Sequence, residues 1–315
     1  MNFGSLLSII LTLFLLMVVG YVCRKLGVIT TESSKGLSKL IINVGQPMLI
    51  LSALETAPYS PANLTIGWQV VLIGLGMHAL LCLMAFLICK GMKERNRAKI
   101  FEFTLIFANC GFIGFPVLDS ILGDGIGSFM GAFFVISFNL YLWTWGIAIL
   151  GRGRDDIRMT PKKALVNFGT IPCLIGVVLY LIKPLFEMPE FVSKTFSYLG
   201  SLCTPVSVLV TGALIATVPL SKMFRNRQLY LHSAIKLLLF PIVICLLAKL
   251  IGLADSYILL VTAMAGVPSA ATVTMLAELY DIEPSYASQT VGLTSILSTA
   301  TLPIVMLFAN WIISL

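Results

Sequence analysis

Charge is scarce in this chain: of 315 residues only 11% are Asp, Glu, Lys or Arg, against 58% hydrophobic, and the mean hydropathy is +0.99. A soluble domain of that composition would have no polar coat, so lipid is the solvent and the chain is a polytopic, all-α membrane protein. Histidine is rarer still. His78 and His232 have no carboxylate or Cys at ligand spacing and read as structural. The seven cysteines (Cys23, Cys82, Cys89, Cys110, Cys173, Cys203, Cys245) show no CxxC or Cys/His spacing, so they read as small buried hydrophobes rather than metal ligands or disulfide partners. Enzyme signatures are missing as well. The stretch ILGDGIG sets Asp124 beside glycines, but an intramembrane aspartyl protease needs Gly-x-Gly-Asp and a second Asp within a span. No nucleophile and base pair is visible elsewhere, so the chain is expected not to be an enzyme.

What is present is apolar length. Ten stretches reach spanning size, at about 5–23, 36–56, 66–89, 100–122, 126–150, 164–182, 195–218, 230–251, 256–279 and 286–314. The opening MNFGS carries no basic residue and Arg24 and Lys25 follow the first span, which places the N-terminus outside and argues against a cleaved signal peptide. Lys and Arg then fall on alternate connections: four in 24–39, five in 90–99, five in 151–163 and three in 219–229, which is 17 of 21. Only Lys183 and Lys194 lie in an outside loop, so both termini are expected outside. The net charge of +7 is accounted for by topology, with no nucleic-acid partner.

Proline and glycine sit where a spanning helix should not tolerate them. Span 2 carries NVGQPM around Pro47 and span 7 carries LCTPVS around Pro205; span 4 carries GFIGFPVLDS around Pro116 and span 9 carries AMAGVPSAAT around Pro268. The offsets within these pairs, 158 and 152, are nearly constant. Ten spans divide into five and five, and an odd number per half inverts the second half, as in many secondary transporters. The expected units are residues 1–150 and 164–315, joined by a cytoplasmic linker at 151–163. Two interrupted spans crossing near the midplane would offer helix N-termini and unwound backbone to a charged solute.

On the motifs NCGFIGFPVL and GVPSAATVTMLAELYDIEPSYASQTVGLTSILSTATLPIVML (266–307), and on the proline-bearing spans 2 and 7, the sequence resembles the auxin efflux carrier family, which includes plant auxin exporters and bacterial malate and malonate carriers. The resemblance implies a ten-helix carrier of two inverted repeats. Its scaffold would come from spans 1, 2, 6 and 7 and its transport domain from spans 3–5 and 8–10, with spans 4 and 9 breaking and crossing at their prolines. It further implies elevator-like alternating access for a small organic anion such as a dicarboxylate or auxin-like carboxylate, a homodimer through the scaffold, and a bacterial inner membrane. The long loop between spans 5 and 6 of the plant exporters is absent here.

Asn109, with an amide suited to a carboxylate or to an interhelical bond, is expected at the substrate site together with Gly111, Gly114 and Pro116. Pro268, Ser269 and Thr272 are expected there from span 9, with the hydroxyls serving either solute or released carbonyls. Asn43, four residues before Pro47, is expected to face the solute from span 2. Asp119 is placed near the midplane if Pro116 marks it, as a coupling group for H⁺ or Na⁺ or as a cap for the outer loop. No resident cofactor is expected. Glu102 and Glu278 read as solvated interface carboxylates, and Lys236 and Lys249 as snorkelling, with pairing to substrate or Asp119 as the alternative. A channel is the rival from another class, although no filter repeat is visible.

Overall fold

A computed structural model describes residues 3–123, 125–154, 156–157 and 170–315. Asp124, most of the linker at 151–163 and the start of span 6 lie outside the described residues, as does the side chain of Glu278. In hydrocarbon every backbone N–H and C=O needs a partner within the protein, and the apolar runs meet this demand as helices. They are α1 (Phe3–Lys25), α2 (Thr31–Leu40), α3 (Gln46–Thr56), α4 (Pro61–Cys89), α5 (Arg95–Ile106), α6 (Phe115–Leu122), α7 (Ile126–Tyr141) and α8 (Ile147–Gly151). After the linker follow α9 (Thr170–Ile182), α10 (Glu190–Ser201), α11 (Cys203–Ile215), α12 (Leu220–Arg225), α13 (Arg227–Ala234), α14 (Phe240–Leu250), α15 (Asp255–Gly266), α16 (Ala271–Leu279) and α17 (Pro284–Ser314). Among the described residues, seven helical rods are long and apolar enough to cross a bilayer, and three shorter apolar helices accompany them: Cys110–Leu122, Thr170–Ile182 and Asp255–Gly266.

Most of the prolines do not break their spans. Pro47, Pro116 and Pro241 each stand at the start of a helix that continues directly from a π-helical turn, at Ile41–Gly45, Cys110–Gly114 and Ile235–Leu239. Proline has no N–H to give the carbonyl four residues back, which in lipid would be left bare. A π turn shifts the ladder to i→i−5, and the expected bonds are present: Gln46 N donates to Ile41 O, Gly114 N to Asn109 O and Phe240 N to Ile235 O. The expectation that span 4 breaks at Pro116 is thereby corrected. Its π turn keeps the chain helical through the proline, and the interruption lies upstream, at residues 107–109.

Packing depends on small residues where helices meet. α1 lies against α11, and a Cβ on Gly212 would stand 1.9 Å from Met17 O, while one on Gly20 would stand 2.0 Å from Leu209 O. Without a hydrophobic force between helices in lipid, such backbone approach supplies the dispersion contact that holds them. α3 packs on α9 and α10, so α1, α2–α3, α9 and α10–α11 adjoin one another. A second set of contacts links α4, α5, α6 and α7, and α14, α15, α16 and α17. The continuous buried core runs through Ile50, Leu81, Phe103, Phe107, Phe133 and Phe240.

A Gly212→Val chain should lose at least ~1–3 kcal/mol by overpacking, since backbone rather than a movable side chain blocks the new atoms. A melting temperature of the purified variant equal to the parent's would contradict the α1–α11 contact.

Candidate functional site

Two helices end inside the protein and exchange partners. α5 stops at Ile106 and α15 at Gly266, and the residues that follow, Phe107 and Val267, are extended. Ala108 and Ser269 form an isolated antiparallel bridge: Asn109 N donates to Pro268 O at 2.7 Å and Ala270 N donates to Phe107 O at 3.0 Å. Residues 107–109 and 267–270 are all buried. Each segment thus supplies the backbone partner that its own helix cannot, at a level where water is unavailable. The antiparallel pairing sets the carbonyl end of α5 beside the amide end of α16, and the carbonyl end of α15 beside the amide end of Cys110–Gly114, amide ends carrying partial positive charge.

The crossing brings together several of the residues expected from sequence. Asn109 is at the break itself, 4% exposed, and its carbonyl accepts from Ile113 N and Gly114 N. Pro268 lies within the break of span 9 and contributes the acceptor just described. Ser269 is fully buried and its hydroxyl donates 2.9 Å to Thr104 O, a carbonyl of the last turn of α5. Of its two expected uses, the released carbonyl takes it. Thr104 Oγ1 stands 2.8 Å from His232 Nε2, and Ser269 N donates to Thr294 Oγ1 at 3.3 Å, so three helices and the break of span 9 share one polar layer.

The glycines have different surroundings. A Cβ on Gly114 would stand 2.8 Å from Met264 Sδ, so Gly114 lets α15 approach. A Cβ on Gly111 would meet only Gln46 Nε2, at 3.6 Å. Gly111 therefore leaves space between the crossing and the start of α3, with the Gln46 amide facing it. Gln46 adjoins Pro47 in the NVGQPM stretch and is a polar group in a span, a signal that the proline obscured. Asn43 lies on the Ile41–Gly45 turn and is exposed, whereas Pro47 is buried in α3.

A cavity of about 600 Å³ opens beside the crossing. Thr272, Thr274 and Met275 of α16 and Trp143 line one wall; Arg24, Lys35 and Lys39 stand among the residues of the other, with Ala213 and Thr217. Thr272, the second residue of α16, thus brings the amide end of that helix to the same space as three cations. Asn109, Gly111, Gly114, Pro116, Pro268, Ser269, Asn43 and Pro47 are not among its lining residues.

Four charged groups bear on the sequence expectations, and two of them, Glu102 and Lys236, depart from them. Asp119 lies eleven residues past Ala108, about 16 Å along the helical rise, because the break is at 107–109 and not at Pro116. Its carboxylate accepts from Ser128 N at 2.7 Å and from the Ser128 hydroxyl, tying the end of α6 to the first turn of α7. Of its two expected roles this is the capping one. Glu102 is not solvated: it is 1% exposed and held by two hydrogen bonds from Arg152, one of them 2.9 Å. Lys236 does not snorkel. It is 0% exposed, its Nζ has no hydrogen-bond partner among the described residues, and it lies within Coulombic reach of Cys110, His78 and His232. Lys249 Nζ, expected to snorkel, donates to Ile313 O at 3.2 Å.

A helical membrane protein whose two interrupted helices bridge inside the bundle, beside a charged cavity, belongs to the class of solute transporters. The membrane transport protein family matches residues 6–158 and 152–306, and the chain belongs to that family, which the auxin efflux carriers exemplify. It is a transporter and not an enzyme. An uncharacterized transporter of Methanocaldococcus jannaschii is 23% identical over 312 residues, covering 93% of this chain and 95% of the relative. One of Methanothermobacter thermautotrophicus is 24% identical over 298 residues (94% and 95%), and the uncharacterized transporter YfdV of Escherichia coli K12 is 22% identical over 290 residues (89% and 88%).

Ser269→Ala should cost ~1–3 kcal/mol by leaving Thr104 O unsatisfied in a dry layer, read as a lower melting temperature. Asp119→Ala should cost ~1 kcal/mol through lost capping of α7 while leaving the pH profile of transport unchanged; an altered profile would return Asp119 to a coupling role.

Proposed function

We propose that this chain is a secondary transporter of a small organic anion, with a dicarboxylate the best fit to the cations at hand. The observation that carries this reading is the cavity that joins Arg24, Lys35 and Lys39 to the amide end of α16 at Thr272, next to the crossing. Cations and a helix N-terminus both favour a carboxylate, and three charges suit a solute with two. Lys236 adds a fourth positive group behind the crossing, without a carboxylate of its own among its hydrogen-bond partners. It serves as counter-charge to the anion while both cross the low-dielectric interior.

The mechanism we infer is alternating access by a moving body. Ten spans form two inverted halves, residues 1–150 and 164–315. The group α1, α2–α3, α9 and α10–α11 is the scaffold and dimer surface, and the remaining helices carry the crossing. Each group is closely packed within itself, as α1 on α11 and α4 on α7 show, and the two groups meet along a seam where α1 touches α6 and α17 and α9 touches α7. With the basic loops on the cytoplasmic side of a bacterial inner membrane and both termini outside, the cavity opens inward. The solute rests in that cavity against Thr272 and the three cations, and Asn109 holds the backbone of the neighbouring crossing in place.

The test is uptake of labelled malonate and malate into vesicles holding the purified chain. Saturable exchange, accelerated by solute on the far side, is expected. Lys35→Gln with Lys39→Gln should raise KM about tenfold or more, as loss of one to two charge-assisted contacts implies. Asn109→Ala should reduce transport with insertion intact. Currents of millions of ions per second would instead mark a channel, and kinetics untouched by all three changes would remove the site from this cavity.

A further inference from the structure

A second cavity lies at the end of the bundle that carries the basic loops, away from the crossing. It encloses about 640 Å³ and is lined by Lys90, Arg95, Lys99, Arg152, Arg154 and Glu102, among others. Five cations against one carboxylate is an unbalanced set, and the internal contacts sharpen the imbalance. Arg152 is committed to Glu102, and Arg154 to Asp156 by bonds of 3.0 and 2.6 Å and to Tyr280 O at 2.9 Å. Lys99, 6% exposed, has a carbonyl at 3.3 Å, Leu150 O, and stands close to the like charges of Arg152 and Arg154. Lys90 and Arg95 form no ion pair among the described residues.

The cavity also holds the start of α5. Arg95 and Asn96 are its first two residues, and the preceding Glu94 makes no side-chain cap to the first turn; its carboxylate is 3.0 Å from Arg97 instead. Open amide donors, two unpaired cations and a crowded third therefore converge on one volume. That donor set matches a group with three or four acceptor oxygens and at least one full negative charge, which is a phosphate. The opposite wall is apolar, with Phe86, Cys89 and Met92. Phe86 is 41% exposed on the same helix as Leu83 and Leu87, at 55% and 60%, so the cavity is continuous with a surface that faces acyl chains.

We propose that this cavity binds a phosphate-bearing ligand, its phosphate held by Lys90, Arg95, Lys99 and the amide end of α5, with an anionic phospholipid headgroup as the source. The site is separate from the substrate cavity and does not depend on the transported solute. It joins the α4–α5 turn to the residues after α8, so the occupied form should be the more stable one.

The experiment uses the full chain, delipidated in detergent, with thermal stability followed on titration of phosphatidylglycerol, phosphatidylcholine or inorganic phosphate. Phosphatidylglycerol should raise the melting temperature saturably and phosphatidylcholine should not. In the Lys90→Gln/Arg95→Gln double variant, both positions being exposed, the apparent affinity should fall roughly thirty-fold, equivalent to ~2 kcal/mol at ~1 kcal/mol per cation. Lys93→Gln, on the same turn but outside the cavity lining, is the control and should leave it unchanged. Stabilisation by inorganic phosphate alone, lost in the double variant, would keep the site and make its ligand a soluble phosphate. Equal affinity in parent and double variant, an equal loss in the control, or no response to any phosphate would overturn the proposal.

Discussion

Two backbone hydrogen bonds hold the centre of this protein. Between Asn109 and Pro268, and between Ala270 and Phe107, the chain makes inside a bilayer the pairing that helices otherwise make within themselves. A transporter needs irregular backbone to offer a solute, while hydrocarbon forbids irregular backbone without partners. The crossing meets both conditions by letting each interrupted segment satisfy the other. The hydroxyl of Ser269, Thr104 and the ring of His232 extend that satisfaction to the next carbonyl and the next helix. The polar layer is therefore a condition for the break, and the surface available to a solute is what remains once these bonds are made.

Much of this could be read from the residues. The apolar runs fall on the observed helices, the break of span 9 lies within AGVPSA, and its partner lies just upstream of GFIGFP. Less legible was which proline interrupts a helix. Pro47, Pro116 and Pro268 have the same local signature, but a carbonyl deprived of its donor can be rescued either by a π turn in its own chain or by a neighbour. The choice depends on tertiary partners, so Pro116 is carried through while Phe107–Asn109, with no proline, leaves the helix. Asp119 followed that error: its inferred depth was measured from the wrong landmark.

Charges were misread for a related reason. Glu102 sits fifty residues from Arg152, and nothing local in KIFEF announces a buried pair. Lys236 shares with many interfacial lysines a position within two turns of a span's end, yet the Ile235–Leu239 turn holds it inside the bundle. Gln46 was hidden by its neighbour. In each case the residue type and chain position were legible, whereas the facing helix decided burial and role.

The glycine contact between α1 and α11 has a mechanical meaning. Two helices whose backbones touch with no room for a single methyl share no sliding plane, because a shift of one residue would drive Leu209 or Met17 side chains into that gap. They behave as a splint. Flexing of the molecule is left to surfaces where side chains, and not main chains, meet, such as the walls of the cavity lined by Thr272, Lys35 and Lys39. On the alternating-access reading proposed above, a covalent staple across the splint would go unnoticed and one across those walls would stall transport.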